Sequence, residues 1–413
     1  MRVETERAEI AAALQRTAAK IRAEDGFVAA DFTVRESGGH ISAAIGERFG
    51  EPGRILVSYP QQLTVPMHVL EWVDRPDAME LADPDAARAA LTPPQWRLLV
   101  DWLVLINAVD RMSHVRASMP RFALADPSLR HHLANAGYPA MRKPPTDAGV
   151  RETAIAWHSM GAGQGPDGDQ RWRLIPLKHL VNHHPTGADQ NPDPGRTAVA
   201  TSTTSDATET CENYGDLDAL QLLMGFGYVD GATRLVHSVP VEVESAALGR
   251  VVVRWRAPRN PRAEAARDIP TLSRLGTEPR GENHVADTAG PDSSASGQHG
   301  EPTSSHLVTP GEPTKQRPAP KGRSHGIEVR HLTFRWENRT RVAAYLAMAC
   351  QSLAAMTADD ARSEAEAILD AILAANQAYY RRLDELVVAS AEPFLPLAEV
   401  SLIQQQRLVE LWG

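Results

Sequence analysis

Three histidines, His179, His183 and His184, fall within six residues of "LIPLKHLVNHHP", with Asn182 among them. Such a density of imidazoles suggests a metal centre. A His-x-x-x-His pair puts two rings on one face only if the segment is helical. Here Pro176 and Pro185 bracket the run, and no glutamate stands beside His179 to complete the hydrolytic version of that motif. The competing reading is an apolar strand ending in a polar turn, its imidazoles bonded to backbone groups. No metal is expected, and a metal-dependent hydrolase is the least favoured chemistry.

A second set of chemistry-bearing side chains begins 32 residues after Asn182, in "ENYGDLDALQLLMGFGYVD". Tyr214 leaves a Tyr-Gly turn, an apolar segment with Leu220, Leu222 and Leu223 follows, and Phe226-Gly227-Tyr228 closes the run. A tyrosine held by a glycine turn can present its hydroxyl inside a tight pocket, and the two later aromatics can wall that pocket. Ordinary strand–turn–helix packing also places aromatics beside glycine.

These side chains need elements to position them. Residues 5–24 carry Ile10, Leu14 and Ile21 at near-helical spacing, which predicts an amphipathic helix. From Phe27 to Val65, "FVAADFTV", "HISAAI", "RILVSYP" and "QLTVP" are short apolar or alternating runs broken by Gly and Pro, the pattern of strands and turns. Residues 80–140 return to helix. "PPQWRLLVDWLVLINAVDRM" has prolines where a first turn tolerates them and apolar positions nearly all round, so a buried helix is expected.

Strands resume from about Trp172 to Trp255. Residues 276–324 are rich in Gly, Pro, Ser and Thr, and cannot bury enough apolar surface to offset their ordering entropy. A disordered linker or insertion is expected over 261–325. "IEVRHLTFRW" alternates like one strand, and the rest is helical. A stripe of Ile368, Leu369, Ile372, Leu373, Tyr379, Leu383 and Leu386 follows a capping Thr357. The outline is α+β: an N-terminal helix over 1–25, a strand-rich unit over 26–260 with a helical insertion at about 70–150, and a mostly α-helical C-terminal domain over 326–413.

Composition limits the function classes. The 413 residues carry a formal charge of −9, which argues against a nucleic-acid partner. No apolar run approaches the roughly 18–20 residues that span a bilayer, so no membrane partner is expected. The N-terminus has no apolar core of a secretory signal. Cys211 and Cys350 cannot build a disulfide framework, so a reducing cytoplasm is the expected compartment.

"LIPLKHLVNHHP" resembles the Pro-Leu-x-Asp-x-x-Asn-His element of SET-domain methyltransferases, and "NYGDLDALQLLMGFGYVD" resembles their later Tyr-Gly … Leu-Leu-x-x-Tyr-Gly-Phe element. The subgroup is that of the RuBisCO large-subunit lysine methyltransferase. "RILVSYPQQLTVP" and "SLIQQQRLVELW" are similar to the family's early strand and C-terminal helix. The resemblance implies a SET-type β-rich fold split by a helical insertion, a helical substrate-binding domain after it, and S-adenosylmethionine as cofactor. It implies a monomer acting on an unidentified protein substrate, lysine being the expected acceptor.

Residue by residue, the resemblance implies that Asn182 and His183 hold the cofactor, Asn182 by its amide and His183 largely by its backbone. Tyr214 would be the catalytic tyrosine of the methyl-transfer channel, Phe226 would line the substrate channel, and Tyr228 would pack near the cofactor's adenine. Gly38 and Gly39 would approach its amino-acid end. The chain departs from the family at four places. His179 stands for the expected Asp, His40 for the second glycine of Gly-x-Gly, and Phe226 for a second channel Tyr; "ETCENYG" is more polar than the usual apolar strand. These departures support an alternative, a catalytically weak SET-like protein acting as a partner-binding module.

Overall fold

The computed structural model describes residues 1–45, 53–160, 172–189, 195–201, 209–254, 270–275 and 326–413. The expected linker over 261–325 lies outside them, apart from residues 270–275, where Thr271–Arg274 form a strand rather than disordered chain.

The helix Ala8–Ala23 buries Ile10, Leu14 and Ile21 as its spacing dictates, together with Ala13, Thr17 and Ala18. That face packs on the helix Pro93–Ala108, and Arg16 ties the pair by a 2.6 Å ion pair with Asp101. Six helices lie between Pro84 and Trp157 among the described residues. Side-chain caps from Asp83, Thr92, Asp126 and Thr146 satisfy the amides that open four of them. Thr92 and Gln95 form a reciprocal capping box, and proline occupies the first turn as expected. The Pro93–Ala108 helix is not buried all round, however. Leu98, Leu99, Trp102, Leu105 and Ile106 face the core, while Val100 is exposed among the described residues.

The strands form several small sheets. Phe32–Ser37 and His40–Ile45 make an antiparallel hairpin with Arg2–Glu4 parallel on its outer edge. Gly38 and Gly39 form its two-residue turn, at φ of 59° and 86°. Two consecutive positive φ values are the geometry that matches strand twist, and glycine adopts them without a Cβ clash. Ile55–Pro60 pairs antiparallel with Arg196–Ala200 and with Phe27–Val28. Asn182–Asp189 and Cys211–Asn213 run parallel, with an abrupt register change: Cys211 faces Asn182, but Glu212 faces Ala188.

A second core lies around the sheet Val241–Ser245, Gly249–Arg254, Gly326–Arg330 and Thr271–Arg274, in that spatial order. Gly326–Arg330 pairs parallel with Gly249–Arg254, so this sheet joins the two sides of the boundary expected between 260 and 326. The expected single strand "IEVRHLTFRW" is two: His331 takes a left-handed φ of 61°, and Thr333–Phe334 turns away to pair with Val236–His237. The helices Arg339–Ala354, Ala358–Ala389 and Leu395–Trp412 pack beside it. In the long middle helix the stripe holds at Ile368, Leu369, Ile372, Leu373 and Leu383, but Tyr380 rather than Tyr379 is fully buried. The fully buried Asn376 accepts from the Val239 amide and donates to Ser238 Oγ, fastening helix to sheet. Among the described residues no helix is long and apolar enough to cross a membrane.

Candidate active site

Asn182, His183 and Tyr214 come together. The run Lys178–Leu180 is a single 3-10 turn, and Asn182 opens the strand after it. His183 is 5% exposed, and its Nδ1 accepts the Tyr214 amide at 2.9 Å. The Tyr214 hydroxyl in turn donates to the Val181 carbonyl. Two bonds therefore hold the Tyr-Gly turn against the Asn-His segment. Burial pulls the His183 pKa down to about 4, with Asp230 acting in the other direction. The ring is neutral at ordinary pH, as its acceptor role towards Tyr214 requires.

Aromatic rings continue from this contact. His183 lies 5.3 Å from Tyr214, Tyr214 lies 5.2 Å from Phe226, and Phe226 lies 6.4 Å from Tyr228 between centroids. Phe226 ends the short helix Ala219–Phe226, which Asp218 and Gln221 start with a capping box and which Gly227, left-handed at φ 74°, stops. That stop aims Phe226 and Tyr228 at the same space. Burial raises the pKa of both Tyr214 and Tyr228, so both remain phenols. The Tyr228 hydroxyl, His183 Nε2, Thr210 Oγ1 and Asp230 Oδ2 are buried atoms without a hydrogen-bond partner among the described residues. Such atoms are uncommon in folded proteins and favour a ligand that pairs with them.

The exposed Asn182 bonds through Nδ2 to Glu209. Glu209 was not singled out in the sequence, although "ETCENYG" shows the polarity that signals it. The same run holds Glu212, whose side chain pairs with Lys178 in the interior. Its carboxyl pKa is pushed up to about 7 by burial, with Lys178 pulling the other way. The polar departure of this strand thus has internal partners.

The three histidines do not converge. His179 Nδ1 bonds the Ile175 carbonyl at 3.0 Å, and its ring lies 4.9 Å from that of His158. His184 Nδ1 instead contacts Thr186 Oγ1 at 2.8 Å. Among the described residues no group of three or more His, Cys, Asp or Glu is arranged to hold a metal ion.

His179 and His158 belong to a basic neighbourhood beside the glycine turn. Gly39 faces the Val109 carbonyl, where an added Cβ would sit at 3.5 Å, and the His40 ring lies 5.3 Å from His114. His114 contacts Trp157 at 5.9 Å, and Trp157 Nε1 donates to the Gly225 carbonyl beside Phe226. This chain of contacts links Gly38 and Gly39 to the aromatic set without direct touch. Arg111 lies here with its pKa lowered to about 10 by burial. It has no acidic partner among the described residues, and its charge acts on His114, His158 and His179. Arg111 Nε, both ring nitrogens of His158 and His179 Nε2 lack partners there. Arg111 is half-buried, and a partly desolvated cation without a counter-charge is disfavoured, so this neighbourhood suits an anionic group.

No family model matches the sequence, and no curated protein matches it. Among solved structures, the SET domain of LSMT bound to lysine and AdoHcy aligns with a TM-score of 0.31 and 10% identity. The alignment covers 57% of this chain and 61% of that one, so the chain spans about three fifths of that structure's length.

Proposed function

We propose that the chain is an S-adenosylmethionine-dependent protein N-methyltransferase, lysine being the acceptor. The fold would be of SET type, split by the helices between Pro84 and Trp157 and completed by the C-terminal helices. The observation that carries the reading is the meeting of Asn182 and His183 with Tyr214, at one end of an aromatic wall with unpaired polar atoms. We further propose that it acts as a monomer in the cytoplasm on an unidentified protein.

The residues fit such a cofactor. Asn182 and the His183 backbone would hold its polar part, Tyr228 would pack its base, and Gly38 and Gly39 leave room near its amino-acid end. Arg111 supplies the positive charge that the tail carboxylate needs. When bound, the cofactor supplies an electrophilic methyl group on a sulfonium. The protein has to align acceptor nitrogen, methyl and sulfur, and such alignment contributes about 7–11 kcal/mol.

A lysine has an ordinary pKa near 10.4 and must lose a proton to act as nucleophile. The walls of Tyr214, Phe226 and His183 favour the neutral amine by excluding water. Tyr214, its hydroxyl donating to the Val181 carbonyl, keeps a lone pair on its oxygen to orient an amine hydrogen. The aromatic faces, with Asp230 at their edge, would stabilise the positive charge that the nitrogen acquires only as it takes the methyl group.

The second reading, a partner-binding module, is favoured by Leu395, Leu402 and Val409, exposed at seven-residue spacing along the last helix. Calorimetric titration with S-adenosylmethionine decides between them. Binding is expected to the folded protein, and its absence rejects the enzyme. Asn182→Ala should weaken binding about tenfold or more, equivalent to about 1.4 kcal/mol. Tyr214→Phe should spare binding while slowing labelled-methyl transfer to lysate protein by about a hundredfold.

A further inference from the structure

We infer that the buried Lys178–Glu212 ion pair is a positioning device that locks the Asn182–His183 segment to the Tyr214 segment. Its consequence for ligand affinity rests on the proposed function; its structural consequence does not.

Lys178 lies four residues before Asn182, and Glu212 two before Tyr214. Both side chains are 2% exposed, and Lys178 Nζ lies 2.6 Å from Glu212 Oε1. The same ammonium donates to the Ala198 carbonyl at 2.8 Å. The pair therefore joins three segments: the turn before Asn182, the strand before Tyr214, and the strand Arg196–Ala200. Tyr59, fully buried near Glu212, anchors the first of these by donating to the Pro176 carbonyl at 2.8 Å.

The backbone does not set this geometry unaided. Between Cys211 and Glu212 the pairing partner jumps from Asn182 to Ala188, so the ladder has no continuous register where the site residues lie. Gly187 brings the two strands into close contact there: a Cβ at that position would meet the Glu212 carbonyl carbon at 2.4 Å. A ladder broken at this point leaves side chains to define the offset. Well-packed apolar residues often match or exceed a buried ion pair in stability, and the best-attested use of such pairs is fixing register. Lys178 and Glu212 stand where that need is greatest.

Hydrogen exchange on the unliganded full chain tests the inference, with melting temperature as the global control. Glu212→Asp keeps the charge but shortens its reach. It should remain folded, melting within about 5 °C of wild type, while amides 209–217 exchange about tenfold faster. The double variant Lys178→Met/Glu212→Leu, which removes the charge without leaving it unpaired, should show the same local loosening. Wild-type exchange over 209–217 in folded Glu212→Asp overturns the inference, whether or not the double variant folds.

In a wild type that binds S-adenosylmethionine, Glu212→Asp should also lose about tenfold in affinity. Unchanged affinity despite loosening would overturn the positioning role while leaving the proposed function intact. A wild type that does not bind rejects the proposed function, and the exchange result still decides whether the pair locks the segments.

Discussion

His158, His179 and His183 are packed so that their neutral rings are favoured. Burial holds His179 and His183 down to about 4 and His158 well below its ordinary value, with Arg111 adding to the effect on His158 and His179. Between about pH 6.5 and 4 the unfolded chain therefore binds protons that the folded chain refuses, so stability falls as pH drops. Each such histidine adds a slope of up to about 1.4 kcal/mol per pH unit. Glu212 acts oppositely: burial raises its pKa against the pull of Lys178, so the fold favours a proton there as pH falls, and that contribution is lost as pH rises. With three buried histidines against one glutamate, denaturant unfolding should show clearly lower stability at pH 5 than at pH 7. A flat profile would contradict the burial of these rings. The histidines were visible in the sequence as a cluster, but their separate environments were not. His183 lies four positions after His179, and only the turn and strand start between them send one ring to His158 and the other to Tyr214.

At the scale of elements, periodicity and one cap made the long C-terminal helix legible. Thr357 begins the helix Ala358–Ala389 as its type and position indicated, accepting from the Asp360 amide at 3.2 Å. Thr357→Ala should lower stability by about 1 kcal/mol, read as a shift in denaturation midpoint with unchanged slope. Strand ends were less legible, because a strand is completed by residues far away in the chain. "IEVRHLTFRW" alternates throughout, yet His331 reverses the backbone and its halves join different sheets. In the same way Tyr380 takes the buried place expected for Tyr379, since the neighbouring helices decide which side of a wide stripe is covered. The aromatic wall was legible as a set of residues. Its closure depends on the helix stop at Gly227, a local signal, and on the Tyr214–His183 bond, a distant one.

For the whole molecule, the second core matters most. Val251 and Val253 from before residue 260 pack with Ile327, Val329, Leu369 and Trp412 from after residue 326. A chain ending at residue 260 would expose these valines together with Ala219, Leu220 and Leu223, which support Phe226. Burial of each large apolar side chain is worth about 1.5–3 kcal/mol, and a whole domain has only about 5–15 kcal/mol to lose. The 1–260 fragment should therefore melt without a cooperative transition, whereas the full chain should show one by calorimetry. A cooperative, native-like melt of the fragment would show that the strand-rich unit stands alone.

By itself the sequence determined the local elements: the opening helix, short strands broken by a turn at Gly38 and Gly39, and the long helix that Thr357 caps. These follow from residue type, spacing and turn chemistry, which act over a few positions. Only the tertiary structure decided that Lys178 meets Glu212, that Arg111 lies among three histidines, and that a sheet joins residues on both sides of 260–325. Those outcomes depend on desolvation and pairing between distant segments. A charged side chain in a sequence does not reveal which distant partner will share its burial.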